Sequence, residues 1–324
     1  MDLVDHFSTY ALISHKPLKE KGEDAYAFDF SHNSIHSQAV FDGCGGAGAW
    51  KYPEFNNATG AYVAAQTMAT IFQDWCASLN PDSLTDASAI ASSFHDAAEN
   101  ALLHCKNSCA PMGVAGSLVK SFPCTATIAL QRPIDSRRIQ VTALNAGDSR
   151  VYILTPQNGL LQLTKDDSRG NPDPLESLRD SAPLSNLLNA DKPFRVTPYR
   201  LAVALPCAII CATDGMFGFL RSPMDFEYVL LDTLIHSRSI SEFEENFKRR
   251  IVKVTGDDST CIISFYGWRS MAEIRTSFKA RFDQVDQVIQ DIDRAGDDRA
   301  AAEAAIYQHW TTYKQQTILY EQQG

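Results

Sequence analysis

Between residues 58 and 79, Ala64, Met68, Ile71, Phe72, Trp75 and Leu79 fall at steps of three and four, the spacing that lines up one face of a helix. Residues 86–105 repeat the pattern with Ile90, Phe94, Ala97, Ala101, Leu102 and Cys105, and Asp86 or Thr85 stands where an N-cap is expected. Two successive amphipathic helices are predicted. Before them, the apolar run at 37–43 reads as a short buried strand stopping at the turn Gly43-Cys44-Gly45-Gly46. After them the pattern turns strand-like. Cys124–Leu130 is rich in strand formers, and Ile139, Val141 and Ala143 alternate with polar residues. Val151–Leu154 resumes after Ala146-Gly147-Asp148-Ser149, which reads as a hairpin. Residues 166–198, rich in Pro, Asp, Asn and Ser, predict a long loop region. Leu201–Ala212 reads as buried strands closed by Asp214-Gly215, Phe226–Ile235 and Ile240–Ile251 as helices, and Cys261–Tyr266 as a last strand. Strands and helices come in blocks, which favours antiparallel sheets covered by helices over a doubly wound sheet.

The C-terminal part differs in character. Phe278, Phe282, Val285, Ile289 and Ile292 step by 4, 3, 4 and 3, and so do Ile306, Trp310, Tyr313, Thr317 and Tyr320. The turn-like stretch 294–299 separates them, so a helical hairpin over 269–324 is expected, appended to a domain over 1–268. Two apolar helix faces need a covering surface. Packing back on the same domain gives a monomer, and packing on another chain gives a tail-mediated dimer.

A length of 324 residues suits one large domain with an appendage. Hydrophobic residues at 44% and charged residues at 21% exclude wholesale disorder. A net charge of -10 argues against nucleic acid as a partner, because phosphate backbones demand clustered Lys and Arg. The eight cysteines form no CxxC pair, so a structural zinc site is not expected and reduced, mostly buried thiols are. The start MDLVDHFSTY has no apolar signal region, and the apolar run 201–212 is too short to span a membrane. A cytoplasmic protein without membrane partners is expected.

Candidate chemistry lies in carboxylates beside glycines and strand ends: Glu23-Asp24, Asp42-Gly43, Asp148, Asp214-Gly215 and Asp257-Asp258. Any one Asp-Gly is ordinary turn chemistry. Several acidic groups at buried strand ends are costly unless paired or bound to a cation. Their convergence would suit a hard ion such as Mg²⁺ or Mn²⁺, and two such ions can activate a water and clamp a phosphate.

In order along the chain stand GEDAYAF (22–28), AVFDGCGG (39–46), CTATIAL (124–130), LNAGDSRVYIL (144–154), LTKDDS (163–168), IICATDGMFGFL (209–220) and DDSTCIISF (257–265). This ordered set resembles the metal-dependent protein phosphatases (PPM, type 2C). The resemblance implies an α+β fold, a four-layer αββα sandwich of two antiparallel sheets flanked by helices, with the helical hairpin as an addition. It implies that Asp42 bridges two Mg²⁺ or Mn²⁺ ions, that the Gly43 carbonyl completes one of them and that Asp214 and Asp257 bind the other. Glu23 and Asp24 would act through metal-bound waters, and Asp148 would help hold the weaker third ion of many members. A water bridging the two metals would attack phosphorus directly.

Three positions depart from the family pattern. Cys44 stands where a His often serves as proton donor. Lys19 stands at the phosphate-binding Arg position, with Lys16 and Lys21 as alternatives, and lysine lacks the bidentate geometry of arginine. Asp257-Asp258 replaces an Asp-Asn pair. A Cys44 nucleophile is disfavoured, since a Cys-x5-Arg loop would need an Arg where Ala49-Trp50 stand. Ser149 lacks a nucleophile elbow, the eight histidines show no metal-ligand spacing, and Arg150 is expected in a structural ion pair near the turn. The expected function is hydrolysis of phosphoserine and phosphothreonine in proteins, with a phosphorylated protein as substrate and a kinase or other signalling protein as partner. The alternative is a catalytically weak pseudophosphatase that binds or scaffolds phosphoproteins, through its tail among other surfaces.

Overall fold

The computed structural model describes residues 7–17, 22–31, 34–80, 82–110, 119–170, 173–179 and 183–322. The strands are β1 (Phe7–His15), β2 (Ala25–Asp29), β3 (His36–Phe41), β4 (Lys51–Tyr52), β5 (Ala58–Thr59), β6 (Ala126–Asp135), β7 (Arg138–Ala146), β8 (Arg150–Thr155), β9 (Gly159–Gln162), β10 (Thr197–Ala204), β11 (Cys207–Ala212) and β12 (Ser259–Tyr266). The helices are α1 (Gly45–Gly48), α2 (Gly60–Ser78), α3 (Ala87–Asn107), α4 (Pro174–Ser177), α5 (Pro223–His236), α6 (Ile240–Val252), α7 (Met271–Asp293) and α8 (Arg299–Thr317). One antiparallel sheet runs β1-β12-β11-β8-β9 and the other β10-β7-β6-β3-β2.

The period-two pattern of each strand separates three layers of core. Val40, Ala129, Val141, Ile153, Ile209 and Ile262 point inward between the sheets. Their neighbours Phe41, Ile128 and Leu144 face α2 and α3. Leu154, Ile210 and Ile263 face α5 and α6 on the opposite side. The result is the four-layer sandwich that the resemblance implied. Helix starts follow local chemistry. Asp86 caps α3 by accepting from Ser88 N and Ala89 N at 2.9 and 3.0 Å, and Ser222, Ser239, Ser270 and Asp298 cap α5, α6, α7 and α8.

Two pattern readings need correction. The stretch 139–154 is not a hairpin. β7 pairs with β6 and β10 in one sheet, while β8 pairs with β9 and β11 in the other. The turn at 147–149 therefore carries the chain across the sandwich, and alternation alone cannot tell a hairpin from a change of sheet. Leu201–Ala212 spans strands of both sheets, and its first half, in β10, is largely half-buried or exposed. Segment 166–198 is mostly irregular as expected but contains α4. β1 and β2, for which no pattern was read, are an edge strand of each sheet.

The C-terminal helices form as their periodicity predicts. Ile274, Phe278, Phe282, Val285, Ile289 and Ile292 of α7 join the core beneath α5, as do Ile306 and Trp310 of α8. Each such side chain contributes about 1.5–3 kcal/mol on burial. A buried carboxylate pins the arrangement. Glu227 of α5 accepts from Arg281 Nε and Nη2 of α7 (2.7 and 2.8 Å), from Leu160 N of β9 (3.1 Å) and from the Tyr313 hydroxyl of α8. Gly159 adjoins this knot at φ +71, and a Cβ there would lie 2.8 Å from Arg281 Cζ, so glycine is required twice over. Both apolar faces of the hairpin are thus covered by the same chain. Among the described residues no helix is long and apolar enough to cross a membrane.

Candidate metal centre

Strand register brings three aspartates to one end of the sandwich. Ala212 pairs with Arg150, so Asp214, two residues past β11, falls opposite Asp148, two residues before β8. Val40 pairs with Thr127 and Ala126 with Ala146, which carries Asp42 to the same end from the other sheet. Thr125 fixes Asp42: its N–H donates to Asp42 O at 2.7 Å and its hydroxyl accepts from Asp42 N at 3.3 Å. A Cβ on Gly43 would lie 2.7 Å from Ala61 O and 2.9 Å from Glu23 Cβ, so the chain passes here only as glycine. Carboxylate oxygens of Asp42, Asp148 and Asp214 all lie within 4.8 Å of one another.

The electrostatics of this cluster are unfavourable without a counter-charge. Burial, then Asp214 and Asp24, hold the Asp42 carboxyl well above its ordinary value. Burial and then Asp214 do the same to Asp148. Asp214 is pushed up to about 6 by burial and then by Asp257, and Asp24 to about 7, mainly by burial. The Oδ1 atoms of Asp24 and Asp148 are buried and have no hydrogen-bond donor. Buried acceptors that lack donors and repel one another are the donor set a hard divalent cation takes. The residues present therefore fit a Mg²⁺ or Mn²⁺ site.

The remaining acidic candidates surround these three. Thr213 Oγ1 donates to Asp24 Oδ2 at 2.9 Å. The Thr59 hydroxyl donates to Glu23 Oε1, and Glu23 N donates to the Asp258 carboxylate. Burial raises both Glu23 and Asp258. Asp257 is exposed at the rim, and its charge bears on Asp42 and Asp214. Lys19 and Lys21 lie outside the described residues, and Lys16 is exposed. Cys44 is held by its N–H to Pro123 O at 3.1 Å. Burial, then Asp42 and Asp148, drive its thiol well above the ordinary value, so it remains protonated at neutral pH.

Arg150 does form an ion pair. It is 1% exposed, its Nε and Nη2 reach Asp166 at 2.9 and 2.6 Å, and its guanidinium stacks 4.2 Å over Phe217. Thr59, Thr125, Thr213 and Asp166 were not singled out from the sequence as supports, whereas Asp258 was named beside Asp257. The one signal for Thr213 was a hydroxyl directly before Asp214. Asp148, Asp214, Arg150 and Asp166 line a cleft of about 260 Å³, with Ser177 and Leu178 also in its lining.

A family profile described as Protein phosphatase 2C matches residues 14–250. A search of curated proteins found no match. Among solved structures, the serine/threonine phosphatase Stp1 from Staphylococcus aureus superposes with a TM-score of 0.58 at 16% identity, covering 80% of this chain and 96% of that one. The catalytic domain of the serine/threonine protein phosphatase PstP in complex with two manganese ions gives 0.53 at 15%, covering 81% and 99%. PppA of Pseudomonas aeruginosa, a key regulatory component of T6SS, gives 0.54 at 19%, covering 81% and 99%.

Proposed function

This chain belongs to the protein phosphatase 2C family, and from that premise we propose that it hydrolyses phosphoserine and phosphothreonine in proteins with the help of two Mg²⁺ or Mn²⁺ ions. The observation that carries the reading is the cluster of Asp42, Asp148 and Asp214 oxygens within 4.8 Å, with buried acceptors that no donor satisfies. Asp42 and the Gly43 carbonyl would hold one ion, with Asp42 shared to a second held by Asp214 and Asp257. Asp148 would serve a third. Glu23 and Asp24 would orient waters from the outer shell. Bound there, the ions supply a nucleophilic water at neutral pH and neutralise charge on the phosphoryl group.

The chain's own contribution is geometry. Thr125 holds the Asp42 backbone and Thr213 the Asp24 carboxylate, the preorganisation that such chemistry needs. The Arg150–Asp166 pair and Phe217 make a rigid floor to the cleft. Cys44 keeps its proton at Sγ, so it is not a thiolate nucleophile and is a weaker acid than histidine at this position. Lys19 or Lys16 would meet the phosphate as a point charge. The substrate class is a phosphorylated protein, with a kinase as its natural counterpart. The eight free thiols suit a reducing compartment, where we place the reaction.

The test is phosphate release from a phosphothreonine peptide with Mn²⁺, Mg²⁺ or chelator, in wild type, Asp42→Asn and Asp214→Asn. Metal-dependent release lost in both variants supports the reading. Mn²⁺ binding without release moves the phosphoprotein-binding pseudophosphatase ahead, and no metal binding refutes the assignment.

A further inference from the structure

The last helix is tied to the acidic cleft through one short segment. Residues 173–179 carry α4, and Ser177 and Leu178 form part of the wall around Asp148 and Asp214. The other side of that segment meets α8. Trp310, 3% exposed, donates its indole N–H to Asp173, at 2.9 and 3.2 Å from the two oxygens. Lys314 Nζ lies 3.2 Å from the same carboxylate. The Tyr307 hydroxyl donates to Glu176 at 2.7 Å, and Arg179 lies 4.4 Å over the Tyr307 ring. Asp173 in turn accepts from Leu175 N at 2.9 Å and caps α4. Leu178 borders both the acidic cleft and a small cavity lined by Trp310 and Tyr313. Arg150 and Phe217 border both spaces as well, so the tail helix and the carboxylates share one thin partition.

Apolar burial alone would dock α8, since Ile306 and Trp310 reach the core anyway. It does not explain why Tyr307, Trp310 and Lys314 all converge on 173–179. A buried indole N–H needs an acceptor, and the acceptor supplied is the cap of the cleft-wall helix. An irregular segment gains a single position when two side chains hold the capping residue of its short helix.

We infer that α8 is a brace: Trp310 and Lys314, acting through Asp173, position residues 173–179 as the cleft wall against which a phosphoprotein substrate rests. This rests on the hydrolase reading above. The C-terminal hairpin then sets affinity for protein substrates without touching the reacting groups. Trp310, Lys314 and Asp173 are positioning residues. A small aryl phosphate needs only the carboxylate centre, whereas a phosphopeptide also needs the wall.

The experiment uses full-length Trp310→Phe, Lys314→Ala and Asp173→Asn beside wild type. Trp310→Phe keeps most of the apolar volume while removing the N–H. The readings are KM and kcat for a phosphothreonine peptide and for p-nitrophenyl phosphate with Mn²⁺, together with hydrogen–deuterium exchange. Expected is a peptide KM raised roughly 3- to 10-fold, below the full worth of a hydrogen bond to a charged group because the wall loosens without leaving the cleft. Turnover of p-nitrophenyl phosphate stays within about twofold, and exchange speeds up at 173–179 but not in α5 or α7. Unchanged exchange and unchanged peptide KM in all three variants overturn the brace. So does a parallel loss with both substrates alongside a lowered melting temperature, which is the mark of a merely structural role. If wild type releases no phosphate, the hydrolase reading fails by itself and exchange decides the brace: faster exchange confined to 173–179 sustains it, and no change overturns it.

Discussion

Asp214→Asn should stabilise the metal-free protein while weakening its response to Mn²⁺. In the folded chain the Asp214 carboxyl is pushed from 3.8 up to about 6, by burial and then by Asp257. A raised folded value means that the folded chain holds the proton more tightly than the unfolded one. The associated stability is present below pH 3.8 and is lost as pH rises through about 6. At pH 7.5 the ionised side chain therefore costs up to about 3 kcal/mol, at roughly 1.36 kcal/mol per pH unit. Solvent reaches part of this half-buried side chain, which lowers the figure. Asparagine carries no charge and escapes the cost. With an unfolding entropy of roughly 2.1 cal/mol/K per residue, the gain corresponds to a melting temperature higher by about 4 °C or less. Differential scanning fluorimetry in chelator at pH 5 and pH 7.5 reads it, and the variant's advantage should grow with pH. Adding Mn²⁺ should raise the melting temperature of wild type by mass action and raise that of the variant less, because the ion assigned to Asp42 and the Gly43 carbonyl does not need Asp214. A variant less stable than wild type in chelator at pH 7.5 would refute the reasoning. It would mean that hydrogen bonds hold Asp214 more firmly than its neighbours repel it.

Further predictions rest on separate parts of the molecule. Asp24, raised to about 7 mainly by burial, should make chelated wild type lose stability as pH climbs from 4 to 7; saturating Mn²⁺ should flatten that slope, as urea midpoints across pH would record. Glu227→Ala strands Arg281, Tyr313 and the Leu160 N–H in the core, and should cost about 3–5 kcal/mol in chemical denaturation. Arg150→Ala leaves Asp166 buried without its partner and should cost a similar amount, roughly 3–5 kcal/mol by the same measurement. Iodoacetamide at pH 7.5 should leave Cys44 unmodified by mass spectrometry, because burial and the aspartates keep its thiol protonated.

The helices were legible because their signal is local. The three-and-four spacing of Phe72 and Trp75, or of Phe278 and Phe282, fixes which face is buried whatever the face packs against. The capping position of Asp86 was legible for the same reason, since its bonds reach only two and three residues ahead. Alternation along Ile139–Ala143 and Val151–Leu154 likewise marked strands, but a strand's partner is chosen by distant chain. That is why β7 and β8, three residues apart, could be read as a hairpin and yet lie in different sheets.

The acidic site divides along the same line. Asp42, Asp148 and Asp214 were each visible as an aspartate beside a glycine or strand end, and their order carried a family resemblance. Their approach to within 4.8 Å depends on the register of two sheets and on a turn that crosses between them. The partners that make the site rigid and join the tail to it span still longer intervals: Thr213 with Asp24, Glu227 with Arg281, Trp310 with Asp173. Sequence by itself determined where the chain could be helix, strand or acidic turn, because those follow from neighbouring residues. Only the tertiary structure decided which of those carboxylates meet and which helix leans on their cleft, because contacts across 54 to 189 residues exist only once the sheets have stacked.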